Sequence, residues 1–137
     1  MIYMKFTKIA LLVNGIIDVL VGGSLLFFPN LMAQLLSYPA LTAPAYYFAG
    51  GWGIAAICFG VARIWASFVD KLVWYNVILG AFEGIILMIF SIITPILYSS
   101  MSYVNVAISL AISSSFFVIY TILLILKFVK KKEEVDS

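Results

Sequence analysis

The chain has 137 residues, of which 65% are hydrophobic and only 10% charged, with a net charge of +2. A soluble domain carries about a quarter charged residues, so the composition excludes a water-facing surface and implies contact with lipid. A single cysteine, Cys58, and no histidine exclude an internal disulfide, cysteine- or histidine-based metal sites and a Cys-His nucleophile pair.

The expected fold is all-α, a single domain over 1–137 built as an integral membrane four-helix bundle. About 20 mainly apolar residues are needed to cross the hydrocarbon core as a helix. The first window runs from about 9 to 28 and stops at Pro29. Its basic start resembles a signal peptide, but its length, Asp18 and the lack of a small-x-small site point to a retained span. After it, Leu31 and Leu35, and Met32 and Leu36, recur at four-residue spacing. Two readings of 30–37 stay open, a short helix lying in the interface and an irregular apolar loop.

The second window covers about 45–66, the third about 72–94 ahead of Pro95, and the fourth about 103–128. All four are continuously apolar rather than alternating, which argues against barrel strands. The tail 129–137 changes from basic to acidic and reads as a solvated end near anionic headgroups.

The charges set an expected orientation. Lys5, Lys8, Arg63, Lys71, Lys127, Lys130, Lys131 and Lys132 are all 8 basic residues, and all belong to one side of a four-crossing chain. The opposite loops, 29–44 and 95–102, have no charge. The positive-inside rule then puts both termini in the cytoplasm of a prokaryotic plasma membrane. Tyr38, Tyr46, Tyr47, Tyr98 and Tyr103 mark the outer interface, and Trp65, Trp74 and Tyr75 the inner one.

Each span has one polar-or-small face at 100° per residue. These are Asn14, Gly15, Asp18 and Gly22; then Ala49, Gly53, Ala56, Gly60 and Arg63; then Asn76, Gly80, Glu83, Gly84 and Ser91; then Asn105, Ser109, Ser113 and Tyr120. Membrane helices meet through such faces, so Gly15, Gly22, Gly53, Gly60, Gly80 and Gly84 are expected at helix contacts. At 1.5 Å per residue, Asp18 lies roughly 14 Å and Glu83 roughly 16 Å from the cytoplasmic side, with Ser113 level with them. Asn14, Arg63 and Asn76 form an expected second layer at roughly 5 to 7 Å.

Intramembrane acids suggest function by default. Asp18 and Glu83 are a candidate proton-carrying pair, or else neutral acids or Arg63 partners that hold helices together. Arg63 is either the counter-ion of Asp18 or a snorkelling side chain without a partner. The Ser113, Ser114 and Ser115 run is expected to bond back to its own helix. Cys58 points away from the small stripe and is assigned no role.

Gly22, Gly23 and then Pro29 in the first span, with Gly53, Gly60 and Arg63 in the second, resemble the DoxX-like group of small four-helix membrane proteins. The resemblance covers almost the whole chain. It implies a four-helix bundle, sometimes beside membrane-bound redox enzymes that work with quinones, and it carries over no catalytic residue.

The leading functional expectation is a non-catalytic membrane component, either an accessory subunit of a membrane complex or a binder of a lipophilic molecule such as a lipid or a quinone. The first alternative is a small, oligomeric proton-coupled transporter using Asp18 and Glu83. The second is an intramembrane isomerase with two acids as general acid and base. No cofactor, metal or nucleic acid is expected. The partners are the lipid bilayer, other membrane subunits or a second copy of the chain.

Overall fold

A computed structural model describes the backbone of residues 2–135 and the side chains of residues 3–129. The side chains of Lys130, Lys131 and Lys132 in the basic tail lie outside the described residues. Five helices make up the described chain: α1 (Ile2–Phe27), α2 (Pro29–Leu35), α3 (Ala43–Phe68), α4 (Asp70–Leu97) and α5 (Tyr103–Val135). All except α2 are long and apolar enough to cross a membrane.

Several boundaries extend past the apolar windows. Helix α1 begins at Ile2, so Lys5 and Lys8 are helical, and α5 carries the tail on to Val135. Pro95 lies inside α4, which runs to Leu97 rather than stopping at Thr94. Proline removes one donor and crowds the carbonyl four residues back, here that of Ser91. The helix nevertheless closes beyond it, with the Tyr98 amide donating to the Thr94 carbonyl at 3.0 Å.

Of the two readings of 30–37, the structure has the helix. Pro29 starts α2 at a position where its missing N–H costs nothing, and Ser37 ends it with φ 59°. The Tyr38 amide donates to the Ala33 carbonyl at 2.8 Å and the Ser37 amide to that of Gln34 at 3.0 Å. This left-handed Schellman termination usually takes glycine.

Only Val69, extended at φ −119° and ψ 102°, separates α3 from α4. Asp70 then opens α4 with a negative charge in its first turn, where it complements the helix dipole. It pairs with Lys8 of α1 at 2.5 Å.

The long helices associate chiefly as two antiparallel pairs, α1 with α3 and α4 with α5, and contact between the pairs is thinner. Glycine sets the first pair. A Cβ at Gly15 would lie 2.7 Å from the Gly60 carbonyl oxygen, and one at Gly22 would lie 2.5 Å from that of Gly53. The second pair closes over Gly80, which is covered by the Tyr120 ring, and Gly84, which faces Phe117 and Ser113.

Packing differs along the molecule. Near the end that carries the α3–α4 junction, Leu11, Ala66, Val73, Val77, Tyr120 and Leu123 from all four long helices form a shared apolar core. Trp74 joins its edge, with Tyr3 at 6.2 Å and the Lys127 ammonium 4.2 Å above its ring. Toward the α2 end the two pairs part around a cavity.

Candidate functional site

The site lies where the packed half gives way to the hollow half. Asp18 of α1, Arg63 of α3 and Glu83 of α4 form an ion triad there, with Arg63 Nη1 donating to Asp18 Oδ2 and Nη2 to Glu83 Oε2. Arg63 is only 2% exposed, so it does not snorkel. Its guanidinium carbon stands 5.9 Å from the centre of the Phe59 ring. Its Nε has no hydrogen-bond partner among the described residues.

By residue position along its helix Arg63 belongs to a different layer from the acids, yet its guanidinium reaches both because side-chain direction closes the gap. Helical side chains tilt toward their helix N-terminus. Arg63 belongs to a helix that runs from the α2 end, so it leans toward that end. Asp18 and Glu83 belong to helices of the opposite sense and lean down to meet it. The three groups therefore converge although their Cα atoms are staggered.

Beneath the triad, Asn14 Nδ2 donates to the Tyr120 hydroxyl at 2.8 Å. Asn76 does not join that layer. It sits at the edge of the buried face of α4, and its amide donates to the carbonyl of Leu72 on its own helix at 3.2 Å. Ser113 lines the cavity while bonding back to Leu110 at 3.2 Å. Ser114 and Ser115 also bond within α5. Cys58 is exposed, away from the site.

Above the triad is a cavity of about 340 Å³. Its walls are mostly apolar: Ile17, Val21 and Leu25 of α1, Leu87 of α4, and Ile108, Ile112 and Phe116 of α5. Met32, Leu35 and Leu36 close it from the α2 end. That covering segment is held by Asn105, whose Nδ2 donates to the carbonyls of Leu36 at 2.9 Å and Ser37 at 3.1 Å. Asp18, Arg63, Glu83 and Asn14 provide the polar floor.

The floor residues stand out in the sequence as polar groups within apolar runs, whereas the wall residues do not. Inside a continuously apolar helix, an isoleucine facing a cavity and one facing lipid leave the same trace. Gly80 and Gly84 carried a partial signal, since both line the cavity as well as the α4–α5 contact.

Chemically, the floor combines two carboxyl groups with one guanidinium. It can hold a proton or a polar head, while the walls receive an apolar body. Asp18 and Glu83 contribute two acidic side chains, and no group of three or more metal-ligating residues occurs among the described residues. No protein family, curated protein or solved structure matches the chain.

Proposed function

We propose that this protein is a non-catalytic, four-helix membrane bundle that binds a lipophilic molecule between its helices. The observation that carries this reading is the apolar cavity of about 340 Å³ with a polar floor at one end only. Ligand sites typically occupy about 300–1,000 Å³, with apolar walls and a few converging polar groups. The charge-free loops on one side and the basic residues on the other support cytoplasmic termini. The cavity then belongs to the outer half of the bilayer, with its floor near the midplane.

Native mass spectrometry after gentle extraction from the protein's own membrane tests the reading. A bound lipophile is expected on the unmodified chain and should be lost from Ile112→Trp, which fills the cavity. A chain that emerges without adducts and is indifferent to that substitution removes the proposal. Stoichiometric recovery with another subunit and an empty cavity would favour an accessory role instead.

Proton-coupled transport is a second reading, favoured by the two acids that share one arginine. Membrane-embedded acids serve as proton relays in transporters. Absence of proton flux into liposomes under every imposed gradient would eliminate it.

A further inference from the structure

The floor of the cavity is unbalanced in charge. Asp18 and Glu83 offer two carboxyl groups, and Arg63 supplies a single positive charge. Among the described residues, no other basic side chain lines the cavity. Lys8 is paired with Asp70 and Lys127 lies over Trp74, both at the far end of the molecule. Helix α2 brings no charge, and α5 brings Ser109 and Ser113 to the cavity and Tyr120 to the Asn14 bond beneath it.

Each acid uses one carboxyl oxygen on Arg63. Asp18 Oδ1 and Glu83 Oε1 accept no hydrogen bond among the described residues. The two acidic side chains are 18% and 31% exposed, against 3% for Arg63, and both line the cavity. An uncompensated charge in an apolar medium is costly, so the arrangement calls for one more positive charge.

We infer that the ligand of this cavity is a lipophilic monocation whose charge completes the Asp18–Arg63–Glu83 triad. The inference rests on the reading of the cavity as a ligand site and adds the chemistry of the ligand. An anion would meet two carboxyl groups. A neutral ligand leaves the surplus charge to a proton. A small inorganic ion would find few oxygen ligands above the floor, whereas an organic cation matches the hydrocarbon walls, and Phe116 contributes an aromatic ring of the kind that attracts cations. A proton is the other singly charged occupant, so proton and ligand compete for the same pair of acids.

Three probes separate charge from hydrophobicity: tetraphenylphosphonium, its anionic counterpart tetraphenylborate, and neutral triphenylphosphine oxide. Each is titrated onto the full chain in phosphatidylcholine nanodiscs, with empty nanodiscs subtracted. The cation is expected to bind about tenfold or more tightly than the oxide, which is about 1.4 kcal/mol, and the anion not at all. Lowering the pH should weaken cation binding and leave the oxide unchanged. Glu83→Gln or Asp18→Asn leaves one acid facing one arginine and should abolish the preference for the cation. The wild-type pH series stands alone if either variant fails to fold. If the oxide binds as well as the cation at every pH, the charge proposal is overturned while the cavity remains a ligand site. If no probe binds and Ile112→Trp changes nothing, the ligand-site reading falls with it.

Discussion

The Asn14 amide and the Tyr120 hydroxyl, 106 positions apart in sequence, meet at 2.8 Å directly under the ion triad. The same tyrosine lays its ring on Gly80. Tyr120 therefore ties α1 to α5 by a hydrogen bond and α4 to α5 by packing.

These two roles separate by mutation. Interhelical hydrogen bonds in membrane proteins average about 0.6 kcal/mol, with a maximum near 1.7, so Tyr120→Phe should cost no more than that. Tyr120→Ala removes the ring as well, and deletion of a buried aromatic costs about 3–5 kcal/mol. Unfolding titrations in mixed micelles give both values. A Tyr120→Phe loss as large as that of Tyr120→Ala would mean that the hydroxyl dominates.

Adjacent glycines provide a sharper comparison. A Cβ at Gly22 would lie 2.5 Å from the Gly53 carbonyl oxygen, whereas one at Gly23 would meet nothing within 4 Å. Gly22→Ala should push α1 from α3 and lose about 1–3 kcal/mol, as overpacking does. Gly23→Ala should be neutral or gain roughly 0.5–1 kcal/mol from helix propensity. The same unfolding assay ranks them, and equal effects would contradict the close approach of α1 and α3.

Arg63 is the shared partner of two acids, so its loss should not be additive with theirs. Removing one member of a buried ion pair costs about 3–5 kcal/mol because the remaining charge is stranded. Arg63→Met alone should approach that range. In an Asp18→Asn, Glu83→Gln background the same substitution should cost far less. A double-mutant cycle measures the coupling, and coupling near zero would show that the triad does not act as a unit.

Asn105 holds the segment that covers the cavity. Its amide bonds the carbonyls of Leu36 and Ser37, and its Oδ1 accepts from the Ser102 amide at the start of α5. Asn105→Ala should therefore loosen α2 and fray the first turn of α5 while leaving the middle of the long helices intact. Hydrogen exchange should accelerate at the amides of Leu36, Ser37 and Tyr38 and stay slow in the middle of α4. Unchanged exchange at those three amides would show that Asn105 does not restrain α2.

The four long helices were legible because apolar runs and glycine spacing are local properties. Asp18 and Glu83 stood out for the same reason, as charges where lipid is expected. The meeting of Arg63 with both acids was legible only as one of several alternatives, because choosing it depends on helix sense and side-chain tilt acting across three helices. The continuation of α4 through Pro95 was hidden as well, since a proline reads as a stop unless the following amide finds its acceptor. The apolar walls of the cavity left no trace, because hydrocarbon facing a void and hydrocarbon facing lipid are the same residues.

The membrane-crossing stretch of α3 has the lowest mean hydropathy of the four, and α3 carries Arg63 near its end. It also makes the closest approach to α1, through backbone bared by glycine on both sides. On its own it is the least suited of the four to enter lipid. Helix α1 is synthesised first and already holds the Asp18 carboxyl and the matching glycines. The glycine-lined contact with α1 therefore gives the arginine-bearing helix a partner already present when it emerges, and deleting α1 is expected to lower the membrane insertion of α3.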